Sequence, residues 1–346
     1  MELTADTSLK NTWINFHQQN PRIRIRNAAR QLQTTEAEII ASFAGSSVLR
    51  LKNDFGAFMK RMPELGYVMV LTRNEYAVHE RKGVFENVSA DSPHVGLVVG
   101  KDIDLRMFFS NWAFAFAVFD NEQAAFKKSI QVFDAQGTAV IKVYPQKDSD
   151  EKAFEQLVRD FSDPEQSPYL RIAVPGEPQV YNDDAVDEAA FRKAWSELKD
   201  THDFFPFLKK HNVSRLHALH IAGGFAKQVS NEASAEMLRY ASANDMEIMV
   251  FVGNHGNIQI HTGTVKNIVA IPNWINVMDP QFNLHLRTDA IYETWAVKKP
   301  TVDGLVHSIE VFGPDKELIV QFFGKRKPGI PELKEWAAYI DGLTAL

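Results

Sequence analysis

The sequence contains no cysteine among its 346 residues. This absence excludes disulfides, thiolate metal sites, iron–sulfur clusters and cysteine nucleophiles, and it fits a reducing compartment. The opening residues, MELTADTSLKNTW, carry no apolar core of the signal-peptide type. No apolar run approaches the ~20 residues that a membrane helix needs. We therefore expect a cytoplasmic protein with no membrane insertion.

Positive charge is also scarce, since 38 lysines and arginines stand against 44 aspartates and glutamates, a formal net charge of −6. Nucleic-acid-binding domains usually present a basic face, so we expect no nucleic-acid partner. The chain lacks a GxGxxG fingerprint after a strand, and it lacks GxSxG and HExxH. These absences exclude an integral nicotinamide or flavin site of the common type, an esterase elbow and a zincin site.

The first part of the chain reads as helices followed by strands. Residues 7–19 form a helical pattern that Pro21 ends, RIRIRNAARQLQ forms a second, and Thr34-Thr35 with Glu38 at capping-box spacing opens a third. Together they could imitate a helix-turn-helix, but a helical layer covering a sheet fits the acidic balance better. From residue 66, short β-branched and aromatic segments separated by Asn, Asp and Gly indicate antiparallel hairpins.

The second part repeats this order after a helix over 151–162 and a proline-rich connection. Val68-Met69-Val70 matches Ile248-Met249-Val250 at an offset of 180 residues, and Ile130-Gln-Val132-Phe133 matches Ile309-Glu-Val311-Phe312 at an offset of 179. A period of this size is that of a domain rather than a solenoid repeat. We predict an α+β fold made by tandem duplication. Each copy, 1–174 and 175–346, has a large antiparallel sheet with N-terminal helices packed against it.

One stretch of the second copy combines features of a ligand site. Between Trp195 and Arg215, the sequence WSELKDTHDFFPFLKKHNVSR places His202 among aromatic side chains, with Lys209 and Lys210 downstream. An imidazole on an aromatic wall beside cations suits a flat, apolar metal macrocycle that carries carboxylates. The alternative is an amphipathic core helix with a structural histidine.

The second copy differs from the first where cations and this histidine stand. His202 has no histidine counterpart in the first copy, and Arg106 falls on His285. Two lysine- or arginine-containing segments replace neutral or less basic ones: Lys298-Lys299-Pro300 falls on Phe119-Asp120-Asn121, and Gly324-Lys325-Arg326 falls on Pro145-Gln146-Lys147. Lysines at a strand end are commonly a solvated edge, but their joint gain with a histidine favours a functional site.

The chain resembles the cytoplasmic haemin-degrading and haem-trafficking proteins of bacterial haem uptake systems, the HemS/ChuS type. The resemblance spans essentially the whole sequence and is carried by WINFHQQNPRIRIRNAARQL, DLRMFFSNWAFAFAV, DTHDFFPFL, GNIQIHTG, LHLR…WAVKKPT and QFFGKR. It implies two tandem HemS/ChuX-like repeats, with haem in a cleft between sheet and helices. The implied ligand is b-type haem, iron protoporphyrin IX.

The resemblance also implies roles for individual residues. His202 in DTHDFF corresponds to the proximal iron ligand, and Arg106 in DLRMFF to the distal arginine, the candidate catalytic residue. The other implied haem contacts are Phe108 and Phe109 as pocket lining, Arg215, Lys299 and Arg326 as cations for the propionates, and Gln321 and Phe323 nearby. The family often has tyrosine where QFFG places Phe323, so a hydroxyl is missing here. Asp200 and Asp203 flank His202 and are candidates to orient its ring, although solvated helix-end carboxylates are the alternative.

Two functions are compatible with this resemblance. The first is an enzyme that degrades haem oxidatively and releases iron, with electrons from an external donor. The second is a non-catalytic carrier that delivers haem to a separate haem oxygenase. Arg106 favours the enzyme, because a pure carrier has little need of a polar distal group. The implied partners besides haem are an inner-membrane haem importer and a reductase or downstream haem acceptor.

Overall fold

The computed structural model describes residues 6–177, 179–327 and 329–346. The helices of the first sequence copy are α1 Asp6–Gln19, α2 Ile25–Gln31, α3 Glu36–Ala41, α4 Phe55–Lys60 and α5 Glu151–Phe161. Those of the second copy are α6 Glu188–Ser196, α7 Phe204–His211, α8 Arg215–Ile221, α9 Ala233–Ala243 and α10 Lys334–Gly342. Within the described ranges, no helix is both long enough and apolar enough to span a membrane.

Within these described ranges, the strands likewise fall into two series of nine. The first series is β1 Val48–Leu51, β2 Gly66–Arg73, β3 Ala77–Gly83, β4 Val88–Ser89, β5 Val95–Val99, β6 Asp104–Phe108, β7 Phe114–Val118, β8 Ser129–Phe133 and β9 Ala139–Ser149. The second is β10 Ala226–Val229, β11 Ile248–Gly253, β12 Asn257–Gly263, β13 Ile268–Ile271, β14 Trp274–Met278, β15 Phe282–Arg287, β16 Glu293–Thr301, β17 Gly304–Phe312 and β18 Leu318–Gly324.

The chain divides into two compact units. The first comprises residues up to Arg73, Glu80–Gly176 and the short segment Gly253–Gln259. The second comprises Asn74–His79, Glu177–Val252 and Ile260–Leu346. Each unit therefore consists of most of one sequence copy plus a short segment numbered within the other.

The two units share one strand order. In the first unit, five strands lie side by side in the order β1-β7-β8-β9-β2, each antiparallel to its neighbour. In the second unit the order is β10-β16-β17-β18-β11, again antiparallel. The three-stranded meanders β4-β5-β6 and β13-β14-β15 correspond in the same way. The predicted α+β fold with two large antiparallel sheets from a duplicated domain is confirmed.

The N-terminal helices of the first unit pack on its sheet as expected. Thr35 caps α3, and its hydroxyl and the Glu38 carboxylate form the reciprocal capping box that the sequence predicts. A buried cluster joins these helices to the strands through Trp13, Phe43 and Phe116. The Trp13 indole donates to the Ala124 carbonyl at 3.0 Å, so its one polar atom is satisfied.

The second unit repeats this arrangement with α6, α7 and α8. Trp195 is fully buried and packs edge-on to Phe191 and Phe204, with ring centroids 5.8 and 4.8 Å away. Its indole donates to the Lys298 carbonyl at 2.9 Å, which ties the helical layer to β16. A separate apolar cluster, which includes Leu238 of α9 and Trp336 of α10, also packs against strands of this unit.

Four elements were not predicted: β1, α4, β10 and β14. All four have only four to six residues, too few for hydrophobic periodicity to identify. The region around Ala226–Val229 reads as helical, but β10 pairs with β16 over all four residues. Tertiary hydrogen bonding therefore overrides local propensity there.

Candidate functional site

His202 lies in a 3-10 turn, Thr201–Asp203, between α6 and α7. Asp200 caps this turn, because its Oδ1 accepts a hydrogen bond from the His202 backbone nitrogen at 2.9 Å. The same oxygen lies 2.6 Å from the ring Nδ1 of His202. The imidazole side chain is 81% exposed, and no described residue bonds its Nε2. One carboxylate oxygen thus shapes the turn and holds the ring so that Nε2 is open to a ligand.

The charge of Asp200 suits this role. The hydrogen bond from the His202 backbone, together with the ring and the positive charge of Arg326, holds the pKa of Asp200 below its usual range. An ionised carboxylate can accept a hydrogen bond from the Nδ1–H group. This bond favours the tautomer in which the Nε2 lone pair is free. Metal-binding histidines usually have such a partner on the other ring nitrogen.

The turn is fixed to the β16–β17 hairpin of the same unit. The Val302 backbone nitrogen, at the hairpin tip, donates to the Lys199 carbonyl at 2.9 Å. With the indole of Trp195 bonded to Lys298, the chain entering the turn is held at two points. The backbone that carries the exposed His202 is therefore fixed to the hairpin by two hydrogen bonds.

A cluster of buried charges lies on the neighbouring sheet surface. Glu310 of β17 is fully buried and stands directly opposite Gln321 of β18. Its carboxylate accepts hydrogen bonds from Arg215 Nε at 2.9 Å and from Gln321 Nε2 at 3.0 Å. Its other ionic partner is the Lys299 ammonium group. We call Arg215, Lys299, Glu310 and Gln321 the Glu310 cluster.

The Glu310 cluster carries one negative and two positive charges. Burial lowers the pKa of Lys299 to about 8, although Glu310 opposes that shift and Arg215 adds to it. Burial alone would raise the pKa of Glu310, but the charges and hydrogen bonds of Arg215 and Lys299 outweigh it and hold this pKa below the usual range. At neutral pH the cluster therefore has a net charge of +1, an arrangement that attracts an anion.

Aromatic rings surround these cations. The Phe204 ring lies 4.4 Å from Lys299 Nζ and 5.3 Å from Arg215 Cζ, within cation–π range. Phe323 is 9% exposed, packs against Phe251 at 5.1 Å and lies 5.9 Å from Lys299 Nζ. The surface thus joins apolar rings to a surplus positive charge, as a macrocycle with acidic tails requires.

Arg326 follows β18 and is mostly buried. Its guanidinium lies 3.9 Å from the Asp303 carboxylate, a loose ion pair. Its Nε is buried and has no hydrogen-bond partner among the described residues. Because its charge also acts on Asp200, Arg326 belongs electrostatically to the surroundings of the His202 turn.

Arg106 lies in β6 of the first unit. It forms an ion pair with Asp104 and donates to the Leu105 carbonyl at 3.1 Å. Burial raises the pKa of Asp104, although the Arg106 charge counteracts this shift. In the β5–β6 register Arg106 stands opposite Leu97, which is 42% exposed. The guanidinium thus lies on a largely apolar strand surface, held by one carboxylate.

The two predicted pocket phenylalanines of the first unit differ in environment. Phe108 ends β6 half-buried, and its backbone nitrogen donates to the Gly256 carbonyl at 2.9 Å. Phe109 is buried, with its ring edge-on to Trp112 at 5.0 Å, and it borders a cavity of about 590 Å³. The Trp112 indole also donates to Gly256, at 2.8 Å. Phe109 is therefore largely a core residue of the first unit in this structure.

The strand arrangement and the duplication can be compared with known proteins. A family model described as the haemin-degrading HemS/ChuX domain matches residues 33–161 and 212–343. The chain belongs to this family. The two matches correspond to the two sequence copies, so the duplication is a property that the family model also detects.

Three relatives illustrate the HemS/ChuX similarity along the whole chain. The structure of holo-PhuS, a heme-binding protein from Pseudomonas aeruginosa, is 44% identical with a TM-score of 0.96, covering 99% of this chain and 100% of that chain. The hemin transport protein HmuS of Yersinia pestis is 36% identical over 97% of each chain. The structure of ChuS, described as an E. coli heme oxygenase, is 34% identical with a TM-score of 0.87, covering 97% of this chain and 99% of that chain.

Within this HemS/ChuX chain, sequence reasoning missed the carboxylate that organises the cations. Arg215, Lys299 and Gln321 come together around Glu310, which the sequence did not single out. The available signal was a glutamate inside the apolar strand HSIEVF, at the position where the first copy has Gln131. A charged residue in the middle of a buried strand requires an ionic partner.

Proposed function

We propose that this protein binds haem with His202 as the iron ligand and degrades it oxidatively to release iron. The observation that carries the proposal is the His202 turn: an exposed imidazole whose Nδ1 is held by Asp200 while Nε2 stays open. Neutral imidazole is a common haem-iron ligand, and the partner of its second nitrogen tunes the bond. The printed descriptions of relatives as heme-binding, hemin-transport and heme-oxygenase proteins support the same ligand.

The acidic tails of haem suit the cations of the second unit. Arg215 uses Nε for Glu310, and its remaining donors have no partner among the described residues. A guanidinium with two free nitrogens can bind a carboxylate through a pair of hydrogen bonds. We propose that Arg215 and Arg326 bind the propionates, with Lys299, Gln321 and Phe323 in support. Apolar contact with phenylalanines, Phe108 and Phe109 among them, stabilises the porphyrin faces.

In the proposed oxidative degradation of haem, Arg106 supplies the polar group. Its guanidinium carries five N–H donors. Asp104 and the Leu105 carbonyl hold part of it, so it can orient water or a small polar ligand without a large loss of side-chain entropy. Bound haem supplies the redox chemistry, and electrons come from an external donor.

The second candidate is a carrier that hands intact haem to a separate oxygenase. The 81% exposure of the His202 side chain favours it, because an exposed ligand is easily reached by an acceptor. An importer on the supply side and a reductase or acceptor on the delivery side are the partners we propose. The cytoplasmic location implied by the resemblance stays a prediction.

An optical titration with haemin tests the proposal. Wild type and His202→Ala are compared, with His255→Ala, an exposed histidine of the first unit, as the matched control. We expect a saturable Soret band at one haem per chain that weakens or shifts only in His202→Ala. Identical titrations for wild type and His202→Ala would refute the ligand assignment.

The same samples separate the two functions. A reductant is added in air with catalase present, and the Soret band and released ferrous iron are followed. Loss of the band with iron release supports the enzyme, and Arg106→Ala should slow it. Intact haem that moves to an added apo-acceptor instead supports the carrier.

A further inference from the structure

The two cations of the Glu310 cluster, Arg215 and Lys299, differ in their exposure and contacts. We propose that Glu310 is a positioning residue that aims the Arg215 guanidinium at a ligand carboxylate, while Lys299 acts through Glu310 without touching the ligand. This inference rests on the proposed function, in which Arg215 meets a haem propionate. It departs from the equal roles that the family resemblance gives to the two cations.

Arg215 has the geometry of an aimed donor. It is the first residue of α8, whose Ser214 cap fixes the start of the helix. Its Nε donates to Glu310 Oε2 at 2.9 Å, and Phe204 covers the guanidinium at 5.3 Å. The side chain is 27% exposed. Because a guanidinium is planar and rigid, a bond at Nε sets the direction of the terminal nitrogens, which remain for a ligand.

Lys299 has the geometry of an enclosed charge. It is only 2% exposed, its ammonium group is bound to Glu310, and the rings of Phe204 and Phe323 lie 4.4 and 5.9 Å away. Glu310 and the two rings thus occupy the surroundings of this nitrogen. Its effect is electrostatic: it offsets the Glu310 charge, so that the positive charge of Arg215 is left over for an anion.

The first sequence copy shows what the same scaffold does without this division of tasks. There Gln131 takes the position of Glu310, Asp120 that of Lys299 and Lys142 that of Gln321. Lys142 is buried and paired one-to-one with Glu36. That pair is neutral, whereas the Glu310 cluster has a surplus cation. The surplus is therefore not a requirement of the fold, which favours a ligand-directed role.

The test compares haemin with its dimethyl ester, which keeps the iron and porphyrin but has no free carboxylates. The measured quantity is the ratio of the two dissociation constants by optical titration. Wild type should prefer haemin, and Arg215→Met should lose that preference. In Glu310→Gln the amide oxygen can still accept from Arg215 Nε but without charge assistance. We expect the preference to fall about tenfold, the difference between a charge-assisted and a neutral hydrogen bond that holds the guanidinium. Glu188→Gln, an exposed glutamate of the second unit with the same charge change, should leave it unchanged.

The opposite account predicts the opposite sign. If Glu310 only neutralised charge, removing its carboxylate would strengthen attraction for propionates and raise the preference for haemin, which would overturn the proposal. Equal weakening of both ligands would overturn it as well, because a purely structural role does not distinguish acid from ester.

A second variant keeps the test decisive if Glu310→Gln does not fold, as judged by circular dichroism of the haem-free protein. Glu310→Asp preserves the charge but withdraws the carboxylate by one methylene. A positioning role predicts a lower preference for haemin than in wild type, whereas a charge role predicts an unchanged preference. Wild type that binds both ligands equally would refute the inference alone. Wild type that binds neither would refute the proposed function.

Discussion

Replacing Asp200 with alanine removes one side-chain oxygen that serves two purposes. That oxygen accepts from the His202 backbone at 2.9 Å and lies 2.6 Å from the ring Nδ1. Without it the 3-10 turn loses its cap and the imidazole can rotate. Loss of such a partner typically costs a metal site 10- to 100-fold in affinity. Because Asp200 is half-exposed, water replaces part of the lost interaction, and we expect the low end, about tenfold.

The assay is haemin affinity together with the iron–histidine stretching frequency of the reduced complex. Asp203→Ala is the matched control, because Asp203 flanks His202 on the other side, whereas the hydrogen bonds described for His202 go to Asp200. Asp200→Asn keeps an acceptor without the charge, so it should recover affinity while lowering the stretching frequency. Equal effects of Asp200→Ala and Asp203→Ala, or an unchanged frequency in Asp200→Asn, would refute the reasoning.

Three further predictions concern stability and the repeat. Glu310→Ala leaves the buried Lys299 and the partly exposed Arg215 without their anion and should destabilise the protein by about 3–5 kcal/mol in urea unfolding. Lys299→Met leaves the Arg215 pair intact and should cost clearly less. The pKa of Lys299 is lowered from 10.5 to about 8. Between pH 8 and pH 10.5 the unfolded state therefore binds more protons than the folded state, and the free energy of unfolding should rise with pH. Lys299→Met should lose this rise, and an unchanged slope in the variant would contradict the assignment of the rise to Lys299. Trp195→Phe and Trp13→Phe each remove one buried indole hydrogen bond, worth about 1 kcal/mol; thermal unfolding should show similar losses, but only Trp195→Phe should weaken haemin binding.

The sequence predicted the architecture because its signals are local or periodic. The capping box at Thr35 and the matched strands of the two copies depend on spacing alone, and both are present in the structure. The sequence predicted an aromatic-rich helix around His202, whereas the structure shows that a 3-10 turn between α6 and α7 carries His202. Its partner Asp200 was named together with Asp203, and only the coordinates distinguish the two.

The Glu310 cluster lay beyond sequence reasoning because it depends on strand register. Glu310 and Gln321 stand opposite one another only after β17 and β18 pair with a shift near Val311/Phe312. Arg215 reaches the same carboxylate from a helix 95 residues away in sequence. No motif links positions so far apart, so spacing could not reveal that three predicted ligand residues share one carboxylate.

The short segment Gly253–Gln259, which belongs to the first unit, has a consequence for dissecting the protein. Its Gly256 carbonyl accepts hydrogen bonds from Trp112 and from the backbone of Phe108. A gene cut at the boundary between the two sequence copies would leave the N-terminal fragment without these acceptors. The boundary between the two sequence copies is thus not the boundary between the two compact units. A fragment intended as the first unit alone must include a substitute for the segment Gly253–Gln259.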